Sequence, residues 1–243
     1  PGDSLEIKDG IVYLNGQENK LPERAKPLYT YKIFSKDGVS SSKLKNLEID
    51  GFIRRFVIRN LSQESYNSLK DYILSISNTN ENEYLVYTDD QGIPIKKVRE
   101  LSIDIREIID NEKELSLTIN DANKIRNSNE FDTIFRSFEK TNYTNSVFFP
   151  GSERFNWNND QLGPIYIPKA GEKIKLTMDD LPLYKKIIRD YENNEVEVLG
   201  NNIYINGEIS SNYTFKQDYY WMMGDNRYNS EDSRVWGFVP FDH

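Results

Sequence analysis

Residues 221–240 read Trp-Met-Met-Gly-Asp-Asn-Arg-Tyr-Asn-Ser-Glu-Asp-Ser-Arg-Val-Trp-Gly-Phe-Val-Pro, a dense polar loop between apolar flanks. Gly224 permits an unusual backbone angle. Asp225, Asn226, Asn229 and Ser230 carry short polar side chains that can bond nearby backbone and hold a complex turn. Asp232 and Arg234 are two apart, so on a strand they point the same way and can pair. Trp221, Met222, Trp236 and Phe238 can bury the base of the loop. By residue chemistry alone this is a structural loop with an ion pair.

Upstream of the loop, Glu195-Val196-Glu197-Val198, a turn, and Ile203-Tyr204-Ile205-Asn206-Gly207 read as a β-hairpin. The chain opens on a similar one. Leu5-Glu6-Ile7 alternates, Asp9-Gly10 predicts a tight turn, and Ile11 to Leu14 resumes a strand closed by Asn15-Gly16. Ser4 to Ile7 aligns with Glu195 to Val198, and Tyr13 to Gly16 with Tyr204 to Gly207, at the same offset of 191 residues. Either hairpins simply look alike, or a β-unit is repeated within the chain.

Between the hairpins the pattern mixes strands and helices. Phe52 to Ile58, Tyr84 to Tyr87, the alternating Leu101, Ile103 and Ile105, and Leu115, Leu117 and Ile119 predict strands. Ile165 to Ile167 and Ile174 to Leu176 do the same, with Ala170-Gly171 in a turn between them. Helices are expected over Ser62 to Ile76, over 121–139 with Ile125, Phe131, Ile134, Phe135 and Phe138 on one side, and from Thr177 to about Tyr191. Residues from about 20 to 50 read as polar and irregular. Asn78 to Asn82 and Asn156 to Asp160 read as solvated connectors.

Composition excludes whole classes of chemistry. The 243 residues hold no cysteine and one histidine, His243. Thiol nucleophiles, disulfides, His-rich zinc sites and a Ser-His-Asp triad are set aside, and no metal or cofactor is expected. The net charge of -8 argues against nucleic acid as a partner. No apolar run reaches the ~18–20 residues of a membrane span. With 37% hydrophobic and 13% aromatic residues, the chain can build a core.

The loop resembles the last signature of type I signal peptidases, G-D-N-x-x-x-S-x-D-S-R-x-x-G-x-V. Gly224, Asp225, Asn226, Ser230, Asp232, Ser233, Arg234, Gly237 and Val239 fall on its nine defined positions. Pro1-Gly2-Asp3, ahead of the first hairpin, is similar to the end of the family's lysine segment, K-R-x-x-G-x-P-G-D. The resemblance covers about residues 1–17 and 195–243. The residues between resemble the large insertion of some members.

The resemblance implies a mainly β fold with helical additions (α+β). A signal-peptidase-like core would comprise 1–20 and 195–243, around an inserted α+β lobe at 21–194. A degenerate repeat of the core β-unit would lie at 165–208. It also implies a serine protease with a Ser-Lys dyad, in which burial keeps the lysine neutral enough to take the serine's proton. Its substrates would be signal peptides of exported preproteins, cut after small residues at the extracytoplasmic (periplasmic) face of the bacterial inner membrane. An N-terminal anchor would hold it there, whereas residues 1–243 alone would be soluble.

Neither dyad member is found. The chain has no Ser-Met dipeptide of the family's S-M-x-P segment, and the lysine would precede Pro1 by six positions. Both ends read as cut, so this stretch is expected to be inactive by itself. The supporting residues carry over: Ser230 as the serine that orients the lysine, Asp232 and Arg234 as an ion pair behind the site, and Gly224, Asp225 and Asn226 as the turn that places them. The offset of 191 sets Lys186 opposite the family lysine, as a degenerate counterpart or a second base. A mid-helix lysine more commonly faces water. Unpaired edges of an incomplete core would invite dimerisation or swapping. The other reading is a non-catalytic binding or substrate-presentation module.

Overall fold

The computed structural model describes residues 1–22, 24–140, 147–152 and 154–242. His243 lies outside the described residues. Strands dominate and the helices are short, which is the expected α+β class. The chain divides into two compact units, Pro1–Pro27 with Phe138–His243, and Leu28–Ser137. The insertion was expected to span 21–194. Leu162, Ile165, Leu181 and Ile188 instead belong to the first unit, because they share a core with Leu5, Ile7, Phe215 and Phe238.

In the first unit, strands Ser4–Lys8, Ile11–Leu14 and Gln17–Glu18 form a meander. Asp9 and Gly10 take positive φ in its turn, as this dipeptide allows. The outer edge of Ser4–Lys8 is covered by the antiparallel strand Leu162–Tyr166. Leu5 and Ile7 point into the core while Glu6 and Lys8 face outward. The aromatic centre includes Phe149 packed edge-on against Trp221 and Phe238, at ring separations of 5.7 and 5.4 Å.

The second hairpin repeats the first in detail. Val196–Leu199, Asn202–Ile205 and Glu208–Ile209 form a meander whose pairs Val196↔Ile205 and Tyr204↔Ile209 correspond, at the same offset, to Leu5↔Leu14 and Tyr13↔Glu18. The asparagine clasps match too. Asn15 Oδ1 accepts from Ser4 N and its Nδ2 donates to Asp3, while Asn206 Oδ1 accepts from Glu195 N and its Nδ2 donates to Asn194. They differ at the outer edge. No strand among the described residues covers Val196–Leu199, so Val198 and Leu199 are exposed.

The second unit holds two cores. One lies against the sheet Thr133–Arg136, Tyr29–Phe34 and Glu112–Leu117. The other lies against Ser75–Asn80, Glu83–Thr88, Arg54–Arg59 and Asp104–Glu107. Arg54 reaches Glu107 with two hydrogen bonds of 3.1 and 2.8 Å, and Ser41 donates to the same carboxylate. Burial opposes ionisation of Glu107, but these hydrogen bonds and the Arg54 charge outweigh it and hold its carboxyl below the usual range.

Several local expectations are corrected. The 121–139 helix runs only over Ile119–Asn127, because Asn129 turns to a positive φ and Thr133–Arg136 joins a sheet. The Ser62 helix, capped as expected by Ser62 Oγ, ends at Leu69, and Ile76 lies on a strand. Residues 20–50 contain the strand Tyr29–Phe34 and the helix Ser41–Asn46. The alternation of Tyr29, Tyr31 and Ile33 was the available signal. Thr177 Oγ1 accepts from Asp180 N in a turn that leads into the helix Leu181–Lys186, whose N-cap is Asp180 and which a wider π-type turn continues over Ile187–Tyr191.

Candidate functional site

The signature loop is closed by its own side chains. Asp232 ends the loop and begins the short helix Ser233–Trp236. Its Oδ1 accepts from Arg234 N at 3.1 Å and Nε at 2.8 Å. Its Oδ2 accepts from Arg234 Nη2 at 2.7 Å and from Gly224 N at 3.0 Å. Both side chains are almost fully buried, 6% and 1% exposed. The pair therefore exists, but at a helix N-cap and not along a strand, because the aspartate must also satisfy the first backbone N–H of the turn. Burial opposes ionisation of Asp232, yet the Arg234 hydrogen bonds and charge hold its carboxyl below the ordinary range.

Gly224 is required for closeness. Its φ is not in the left-handed region, contrary to expectation. A Cβ placed on it would sit 2.2 Å from Ser230 Oγ. Ser230 is thus seated directly on the glycine backbone, partly exposed, and its hydroxyl has no hydrogen-bond partner among the described residues. Asn226 closes the intervening turn, its carbonyl accepting from Asn229 N at 3.1 Å and its side chain from Asn229 Nδ2 at 3.3 Å. Asp225 is exposed and accepts a long bond, 3.4 Å, from Lys26 N. Ser233 grips the incoming strand, since its Oγ accepts from Met222 N and its N–H donates to Met222 O.

Trp221 and Phe238 do form the base of the loop, against Phe149. Met222 and Trp236 do not: they are 55% and 38% exposed. Phe149 fills the space where a side chain on Gly237 would stand. Lys186 is exposed, donates to the Trp236 carbonyl at 3.2 Å and lies over the Tyr191 ring. It lacks the burial that would make a lysine a base.

Sequence reasoning missed the segment that ties the site together. Asn156 to Asp160 read as a solvated connector, yet Asn158 and Asp160 are 0% and 2% exposed. Asn158 Oδ1 accepts from Asp160 N and Gln161 N, folding the segment into a tight polar knot. Asp160 accepts from the Tyr228 hydroxyl inside the signature and from Glu139 N. Its carbonyl accepts from Gly10 N, in the turn of the first hairpin, at 2.9 Å. Gln161 donates to Asp9, and Arg234 reaches the Asn159 carbonyl. Composition offered no warning, because a short Asn/Asp run looks the same whether water or protein satisfies it.

The signal peptidase, peptidase S26 family matches residues 167–243, from just after the strand Leu162–Tyr166 to beyond the signature. Over this segment the chain is similar to that family. Three curated relatives carry signal peptidase names. Signal peptidase I of Buchnera aphidicola subsp. Schizaphis graminum is 30% identical over 133 residues, covering 54% of this chain and 39% of that protein. Signal peptidase I of Aquifex aeolicus is 61% identical over 28 residues, 12% of this chain and 11% of that protein. Probable signal peptidase I-2 of Synechocystis is 29% identical over 117 residues, 43% of this chain and 53% of that protein. The chain spans about half or less of the length of these relatives. No solved structure matches it.

Among the described residues, no helix is long and apolar enough to cross a membrane. No cluster of three His, Cys, Asp or Glu could hold a metal ion among them.

Proposed function

We propose that Gly224 to Arg234 form the supporting wall of a type I signal peptidase active site, and that the whole protein removes signal peptides from exported preproteins after small residues. The observation that carries this reading is Asp160, bonded to the P-G-D hairpin through its carbonyl and to the signature through its carboxylate. The two segments that resemble the family are thereby held at one point.

In this reading the nucleophilic serine and the base lysine come from outside residues 1–243. Ser230 bonds and aims the lysine, which must be neutral to accept the serine's proton. The Asp232–Arg234 pair fixes the backbone that carries Ser230, with Asp225 and Asn226 shaping the turn. The protein works at the extracytoplasmic face of the membrane, held by an N-terminal anchor. The unit Leu28–Ser137 serves as a binding or substrate-presentation module, a role favoured by its having cores of its own.

The test is cleavage of a fluorogenic peptide with small residues before the scissile bond, using the protein with its native upstream sequence. Ser230→Ala should slow cleavage by misplacing the lysine. A folded variant with unchanged kinetics refutes the role. Residues 1–243 alone should give no turnover, and clear turnover would overturn the placement of the dyad.

A further inference from the structure

Asp160 is a carboxylate in an expensive place. It is 2% exposed. Two neutral donors reach its carboxylate, Glu139 N at 2.7 Å and the Tyr228 hydroxyl. A buried carboxylate is kept where hydrogen bonds satisfy its oxygens, so each of these donors matters. Its bonds are also spread in an unusual way. The carboxylate holds the signature loop two residues before Ser230. The carbonyl holds Gly10, in the turn of the hairpin that follows Pro1-Gly2-Asp3. The neighbours reinforce both ties, Gln161 on Asp9 and the Asn159 carbonyl on Arg234. Asn158 anchors the knot from below, donating to the Lys140 carbonyl.

We propose that Asp160 is a positioning residue of the active site: through Tyr228 it sets where Ser230 points, and through Gly10 it sets the P-G-D hairpin against the same frame. The proposal rests on the signal peptidase reading above and deepens it. Tyr228 occupies a position that the family signature leaves open. The tether therefore belongs to this chain's own sequence, with Asp160 supplied from 68 residues away. The Asp232–Arg234 pair stiffens the C-terminal half of the loop, while among the described residues Asp225 meets a long bond from Lys26. The Tyr228 bond ties the turn to the Asn158–Gln161 knot.

The experiment uses the protein with its native upstream sequence, purified as wild type, Tyr228→Phe, Ser230→Ala and the double variant. Tyr228→Phe removes one oxygen and keeps the ring, so the fold should survive. Its kcat should fall about tenfold with KM unchanged, as expected when a catalytic group is slightly misplaced. The double variant should be no slower than Ser230→Ala alone, because the tether acts only through Ser230. Asp160→Asn is the second variant, retaining shape without charge, and should show the same kcat-only loss. An unchanged kcat in Tyr228→Phe overturns the proposal. So does a loss that multiplies with that of Ser230→Ala, or one that merely follows a lowered melting temperature. Wild-type kinetics in Ser230→Ala would instead overturn the signal peptidase reading itself, and the proposal with it.

Discussion

Ser230 rests on the backbone of Gly224 so closely that a single methyl group on the glycine would lie 2.2 Å from its hydroxyl oxygen and 2.7 Å from its Cβ. Neither neighbour can yield easily. Asp232 pins Gly224 N, and the Asn226–Asn229 turn restrains Ser230. Gly224→Ala is therefore expected to destabilise the protein by about 1–3 kcal/mol through overpacking. Gly171, at φ 78°, is the control, since a Cβ there meets nothing within 4 Å. Gly171→Ala should lose about 1 kcal/mol from backbone strain alone. Denaturant unfolding distinguishes them, and an equal or smaller loss at Gly224 contradicts the contact.

The Asp232–Arg234 pair makes the signature loop acid-sensitive. The folded-state carboxyl titrates below its ordinary value of 3.8, so the unfolded chain takes up the proton first. The stabilisation is fully present above about pH 4 and is lost as pH falls through the folded value. Asp232→Asn should cost about 3–5 kcal/mol at neutral pH, because it leaves a buried guanidinium without its charge partner. It should also flatten the acid limb of the stability curve below pH 4. An unchanged acid limb would show that the pair carries no such linkage.

The matching asparagine clasps predict a loss at each. Asn15 and Asn206 sit at φ 52° and 53°, where glycine is tolerated. Asn15→Gly and Asn206→Gly should each lose about 1 kcal/mol or more, the worth of the hydrogen bonds to the opposite strand start. The Asn15 variant should suffer more, because its strand is covered by Leu162–Tyr166 and a loosened register disturbs two partners. Amide exchange at Ser4 and Glu195 should quicken in the respective variants. Protection at both sites in both variants would refute the clasp.

Glu192 is buried and accepts from the hydroxyls of Tyr213 and Tyr219 and from Lys216 N. Burial, together with the Glu192 carboxylate, pushes both phenols above their ordinary value of 10, and burial does the same to Tyr184. Folded stability should thus decline as pH rises past 10, where the unfolded phenols ionise and the folded ones resist. In an absorbance titration these three of the sixteen tyrosines should ionise only with unfolding. Tyr219→Phe should cost about 1–3 kcal/mol by leaving Glu192 one donor short. A smooth titration of all tyrosines near 10 in the folded protein would contradict this.

The local chemistry was legible wherever one segment sufficed. The Asp9-Gly10 turn, the Ser62 cap, the Thr177 turn and the nine signature positions all act over a few residues. Helix ends were less legible. Ile134 and Phe135 suit a helix face as well as a strand, and what decided between them was the partner strand Tyr29–Phe34, about a hundred residues away. Lobe boundaries failed for the same reason: Leu181 and Ile188 are apolar in any reading, and only the shared core assigns them to the first unit.

By itself, the sequence determined the family signature, the two hairpins with their common offset, and the absence of thiol chemistry, since each is a matter of residue type and spacing. Tertiary structure decided that Gly224 is needed for contact with Ser230, that Asp232 pairs with Arg234 from a helix cap, and that the Asn158–Gln161 segment is buried. The physical reason lies in where polar groups find partners. A carboxylate such as Asp160 is a solvated loop residue until distant segments supply its donors, and no local pattern records which segments those are.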